Sequence, residues 1–289
     1  MKTVLKITKK NIDELNNLSA YPKLRKLVCS NLKVTSLPTL PITLESLDCH
    51  KNRLSTLPTL PKNLKKLDTS SNNLTSLPNL PSNLTELNCA KNKIKALPKL
   101  PRTLKYLHCE SNRLACIDKF PNGLVIIDIS RNRIKKAPKL SNNLMYLLCE
   151  TNKLETLPVL PQNLTGLICS NNKLKTLPKL PDKLKDIRCN NNLITQLPAL
   201  PDSLVKLFVC NNPILKYSGF PKGLIILDFS FNDHLKTLPE INNSIEHFWF
   251  ENKDGRIISD HEKYKEIMIK FNRNNKDRKS TRLNSSHRT

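Results

Sequence analysis

Two histidines stand close in sequence to carboxylates: His50 follows Asp48 by two residues, and His108 precedes Glu110 by two. With Asp68 and Asp128 they supply the residue types of a His–Asp general base, which needs an imidazole oriented by a neighbouring carboxylate. No Ser or Cys nucleophile is positioned beside them, and no oxyanion-hole or phosphate-cradling loop is visible, so no catalytic residue is assigned and a non-enzyme is expected. The nine cysteines raise a second possibility, metal or redox chemistry. There is no C-x-x-C and no His/Cys pair at zinc spacing, so no metal ligand and no cofactor is assigned. Cys116-Ile117-Asp118 forms a C-x-D triplet, but three residues are too short a pattern to specify chemistry, and an ordinary turn variant explains it as well. An odd cysteine count, with four lysines breaking up the first ten residues where a signal peptide would be apolar, fits a reducing, cytoplasmic setting.

The elements that carry these residues emerge from a constant period of twenty. Leucines 44, 64, 84, 104, 124, 144, 164, 184, 204 and 224 keep it, and so does a second apolar column from Leu47 to Leu227. A polar column keeps it too: Asn52, Asn72, Asn92, Asn112, Asn132, Asn152, Asn172, Asn192, Asn212 and Asn232. Eleven units lie between Leu27 and Leu227, and a degenerate one follows at Ile245, Phe248 and Phe250 after a one-residue insertion near His234. The core L-x-x-L-x-C/L-x-x-N-x-L is the leucine-rich-repeat signature. L-x-C alternates in and out as a short strand does, and successive rungs pair in a parallel sheet. Each buried Asn must satisfy its amide on backbone of its turn and of the next rung. The L-P-x-L-P half has proline every third residue, which removes donors and fixes φ, so the convex side is extended and polyproline-like. Cys29, Cys49, Cys89, Cys109, Cys149, Cys169 and Cys189 share one slot with Thr69, Ile129, Val209 and Phe229, which marks it as an apolar core slot.

The fold class expected is therefore a leucine-rich-repeat solenoid with a concave parallel sheet and capped ends. Residues 1–21 read as an N-terminal cap, a strand at Val4 to Ile7 and a short helix over Asn11 to Leu18. Residues 22–241 read as the repeats, and 242–276 as the degenerate last repeat plus a capping helix from about His261 to Phe271, where Tyr264, Ile267, Met268 and Phe271 share one face. Asp277 to His287, DRKSTRLNSSH, resembles the in-frame translation of a sequencing-library adapter, with Arg288 and Thr289 from the bases after it. Residues 277–289 are set aside from the fold, and whether the natural frame continues past Lys276 is left open.

Solenoids bind along their concave surface. Its outward positions are Asp48, His50, Asp68, Asn88, Tyr106, His108, Glu110, Asp128, Tyr146, Glu150, Arg188, Phe208, Asp228 and Trp249. That mixture of aromatics and both charges, leaning acidic, suits a protein partner better than a phosphate backbone, with Tyr106, Tyr146, Phe208 and Trp249 as anchors. The net charge of +24 gathers elsewhere. Arg53, Lys93, Arg113, Arg133, Lys153 and Lys173 each follow the repeat Asn and form an edge stripe that only Asn73 interrupts. Such a stripe could track a phosphate backbone, which makes a nucleic-acid-binding solenoid one alternative; plain solvation of an elongated surface is the other reading. No stretch is long and apolar enough to span a membrane, and a monomer is expected.

The unit L-P-x-L-P-x-x-L-x-x-L-x-x-x-x-N-x-L-x-x-L-P resembles the short repeats of leucine-rich-repeat effectors from intracellular bacterial pathogens. The strand cysteine and the Lys/Asn-rich background resemble leucine-rich-repeat proteins of giant DNA viruses. The resemblance runs from about Pro22 to Ile241; it is specific for fold and weak for function. It implies a non-catalytic protein-interaction scaffold acting in a host cytoplasm. Some bacterial relatives carry a C-terminal ubiquitin-ligase domain with a catalytic C-x-D, which makes the substrate-recognition part of such a ligase a further alternative. Nothing after Ile241 resembles that domain, and Cys116 lies inside the repeats, so the catalytic role does not transfer to it.

Overall fold

The computed structural model describes residues 2–232 and 243–251, and the backbone of 257–258. Three-residue strands recur every twenty residues, from Lys26–Val28 and Ser46–Asp48 to Ile226–Asp228, each pairing in parallel with the next. Register is uniform: Leu47 faces Leu67, Leu67 faces Leu87, and so on along the column. The last parallel step is longer by one, Leu227 facing Phe248, and absorbs the insertion near His234. The central residue of each three-residue strand is buried and its neighbours are more exposed, as alternation demands, with Gly166 the exception. Strand position and burial reflect one cause: a single rung cannot enclose its own leucines, and stacking encloses them all.

From the strand Lys26–Val28 onward the chain returns between strands without helix in the described residues. Most returns end in a turn opened by proline, for example Pro41, whose carbonyl accepts from the Leu44 N–H at 3.1 Å, and Ser141 takes the same place before Leu144. Thr43 Oγ1 then donates to the Leu24 carbonyl at 2.7 Å, tying that turn to the preceding rung. The strand exit is sharper. The residue before each ladder Asn takes a left-handed φ, from Lys51 at 53° through Thr151 at 53° to Phe231 at 54°, and Asn31 at 59° does the same before Leu32. None of these is glycine, so every rung bears local strain there, greatest for the β-branched Thr151. In return, the backbone N–H at that position reaches the next rung: Lys51 donates to the Ser70 carbonyl at 2.9 Å.

The asparagine column holds those exits together. Asn112 Nδ2 donates to the carbonyls of Cys89 at 2.9 Å and Cys109 at 3.2 Å, while its Oδ1 accepts from the Ile94 N–H at 3.0 Å. The same set recurs at Asn52, Asn72, Asn92 and Asn132. One side chain thus satisfies backbone groups of two rungs, as the sequence required.

At the N-terminal end the strand Val4–Lys6 pairs with Lys26–Val28, and Lys9–Ala20 folds over the first rung with Leu15 and Leu18 buried. The segment forms tight 3-10 turns, with non-helical backbone at Asn11 and Asn17. Asparagine favours such breaks because its amide competes for nearby backbone: Asn11 Oδ1 accepts from the Thr8 N–H at 2.7 Å, and its Nδ2 reaches the Lys6 carbonyl at 3.2 Å. At the other end His247–Glu251 pairs antiparallel with Ile257–Ile258. The helix expected over His261 to Phe271 lies outside the described residues.

Candidate functional site

The sheet presents three outward columns. The third strand residue gives Asp48, Asp68, Asn88, His108, Asp128, Leu148, Ile168, Arg188, Phe208, Asp228 and Trp249, each beside the next. The first strand residue gives Lys26, Ser46, Lys66, Glu86, Tyr106, Ile126, Tyr146, Gly166, Asp186, Lys206, Ile226 and His247 in the same order. Two residues past each strand stand His50, Glu110 and Glu150. The fourteen positions read from sequence therefore share one surface, half-buried or exposed, and the structure divides it into three zones.

The N-terminal zone is acidic and holds both histidines. His50 Nδ1 lies 2.6 Å from Asp48 Oδ1. Asp68 accepts from the Ser70 N–H and hydroxyl at 2.9 and 2.7 Å, and from Asn88 Nδ2 at 3.2 Å. His108, Glu110 and Asp128 gather three rungs further on, with less pairing. Burial raises the Glu110 carboxyl above its ordinary value, and its Oε2 is buried without a hydrogen-bond partner.

The middle zone is apolar and was not read from sequence. Ile126, Leu148 and Ile168 are half-buried on the outward face, and Tyr146 beside them is 44% exposed. Charged and aromatic side chains signal chemistry in a sequence and aliphatic ones do not, although Ile126, Leu148 and Ile168 occupy the same outward slots. Gly166 has a specific place here. A Cβ on it would meet Tyr146 Cδ1 at 2.6 Å, so the glycine is what lets that ring lie across the next strand.

The C-terminal zone is an aromatic stack with a fixed cation. Arg188 is held by Asp186 through Nε and Nη2 at 3.2 and 3.0 Å, and its guanidinium sits 5.2 Å from the Phe208 ring centre. Phe208 stacks with Trp249 at 6.5 Å although the strand bearing Asp228 lies between them, and His247 stacks on Trp249 at 6.1 Å. Asp186 and His247 are further members of this zone that sequence reasoning missed.

Elsewhere, the seven slot cysteines are buried in the core. Burial pushes the Cys29 and Cys189 thiols up to about 12 and raises Cys49, Cys89, Cys109, Cys149 and Cys169 as well. Thiols held protonated are poor nucleophiles and poor metal ligands. Cys116 is exposed in a return segment, where it and Asp118 line a shallow groove with Leu97, Arg102 and Phe120. The edge residues Arg53, Lys93, Arg113, Arg133, Lys153 and Lys173 are all exposed, and none forms an ion pair among the described residues.

Uniform parallel rungs, the asparagine column and the helix-free returns define a leucine-rich-repeat protein of the short, twenty-residue kind. Comparison with solved structures agrees. YopM from Yersinia enterocolitica is 35% identical over 79% of this chain and 55% of its own, with a TM-score of 0.76. YopM from Yersinia pestis, described as a leucine-rich effector protein, is 26% identical over 84% of this chain and 92% of its own, with a TM-score of 0.57. The functional domain of InlJ from Listeria monocytogenes, described as including a cysteine ladder, is 28% identical over 74% of this chain and 58% of its own, with a TM-score of 0.51. The chain spans about half the length of the first of these. No protein-family model and no curated protein matches it. No helix among the described residues is long and apolar enough to cross a membrane.

Proposed function

We propose that the chain is a non-catalytic recognition scaffold that holds a protein partner along its concave sheet, acting as a monomer in a cytoplasm. The observation that carries this reading is the arrangement of that sheet: an acidic end, an apolar centre around Tyr146, Leu148 and Ile168, and an Arg188–Phe208–Trp249 stack at the other end. An apolar centre with aromatic and arginine anchors inside a charged surround is the anatomy of a protein interface. Likeness to leucine-rich effector proteins supports a binding role in general and does not name the partner.

The test is capture from cell extract by wild type and by a Tyr106→Ala, Tyr146→Ala, Phe208→Ala triple variant, with bound proteins identified by mass spectrometry. These side chains lie outside the buried core, so circular dichroism and the melting curve should stay close to wild type. The expected result is a defined partner retained by wild type and lost by the variant. Equal retention would remove the concave face from the interface.

A second reading has its own observation, the six unpaired cations of the edge stripe. If they bind a nucleic-acid backbone, affinity falls steeply with salt and neutralising three of them flattens that slope.

A further inference from the structure

The three slots occupied by Asp48, His50 and Asp68 recur at His108, Glu110 and Asp128: one outward strand residue, the residue two positions on, and the outward strand residue of the next rung. In both sets, one ligand-type atom from each residue lies within 4.8 Å of the others. The two differ in how their polar atoms are satisfied. In the first set His50 pairs with Asp48, and Asp68 is held by the Ser70 hydroxyl and by Asn88. In the second set Asp128 Oδ1 accepts from the Ser130 N–H at 3.0 Å, and the Glu110 carboxylate accepts from its own backbone N–H. Glu110 Oε2 is buried with no partner. Ser130, in the Glu110 slot of the next rung and two residues past Asp128, is 4% exposed and its hydroxyl is also unpartnered. Its counterpart Ser70 donates to Asp68 at 2.7 Å. Two of the three buried polar side-chain atoms left without a partner in the described residues thus sit at this one cluster.

A buried carboxylate oxygen and a buried hydroxyl without partners cost stability unless something else satisfies them. A cation does what a hydrogen-bond donor would do for Glu110, and a water on that cation can accept from or donate to Ser130. Lys91 is near enough to be felt electrostatically by Glu110 but forms no ion pair with it.

We propose that His108, Glu110 and Asp128 form a site for a divalent transition-metal ion, of which zinc is the natural probe. One imidazole nitrogen and two carboxylate oxygens favour zinc, cobalt or manganese over calcium or magnesium, which select all-oxygen sets. Bonds of about 2.0–2.2 Å place ligand atoms roughly 3–3.5 Å apart, a spacing reached from the present one by small side-chain rotations. Three protein ligands leave at least one coordination position, and here it faces the concave groove. The ion would therefore stand where a bound partner could supply the remaining ligand. Metal binding itself does not depend on any partner.

The experiment uses the untagged chain, stripped with chelator, and zinc chloride in a calorimeter. One zinc per chain is expected. His108→Gln and Glu110→Gln, which keep polarity and size, are each expected to weaken it by about tenfold or more, while Asp48→Asn at the paired cluster leaves it unchanged. Zinc should raise the melting temperature of wild type but not of the two glutamine variants, which separates loss of the site from loss of fold. Cobalt(II) should give visible ligand-field bands without a thiolate charge-transfer band, excluding Cys116 as the ligand. No saturable zinc binding by wild type, binding that survives both glutamine variants, or a thiolate band abolished by Cys116→Ser would each overturn the assignment.

Discussion

At the scale of single residues, each ladder asparagine matters beyond its size because it is shared between rungs. Asn112→Ala leaves the Ile94 N–H without its partner in a buried turn and removes one of the two asparagine bonds to each of the Cys89 and Cys109 carbonyls, which keep those from Asn92 and Asn132. The expected loss is about 2–4 kcal/mol, read as a lower urea midpoint. A loss below about 0.5 kcal/mol, the usual effect of a surface change, would mean that solvent replaces these bonds and that the ladder is not buried as described. The cysteines make the opposite point. Their slot accepts Thr69 and Phe229 as readily, and burial holds the thiols protonated. Alkylation of the native chain at pH 8 is therefore expected to label Cys116 first and to spare Cys29, Cys49, Cys89, Cys109, Cys149, Cys169 and Cys189 until denaturant is added. Prompt labelling of any ladder cysteine under native conditions would contradict that.

At the scale of elements, the rungs were legible in the sequence because each repeat position meets the same environment in every turn. A leucine at the strand centre is compelled by enclosure, an asparagine at the exit by orphaned backbone, and proline in the return by the absence of a ladder to donate to. Where the environment is not repeated, legibility falls. The first segment carries an apolar pattern of a helix, yet asparagine amides at Asn11 and Asn17 break it into 3-10 turns. Outward strand slots are free to vary, so the sequence shows which residues they hold but not what their neighbours do with them. The clasp of Asp186 on Arg188, the stack of Phe208 and Trp249 and the bed that Gly166 makes for Tyr146 are contacts across rungs, invisible to a reading along one rung.

At the scale of the whole molecule, charge and interface are separated. The edge carries unpaired lysine and arginine, whereas the concave sheet is zoned from acidic through apolar to aromatic. On the proposed reading, the strong positive charge keeps an elongated surface solvated and sets long-range attraction, and the concave zones set what is held. The separation also gives the two readings of function different surfaces. The most direct measurement of the central claim places a photo-crosslinking amino acid at Tyr146, in the apolar centre of the sheet, and in a second protein at Val159, 87% exposed in a proline-rich return. The expected result is a discrete protein adduct from position 146 that is absent from position 159. Adducts of equal yield from both, or from position 159 alone, would contradict recognition through the concave face.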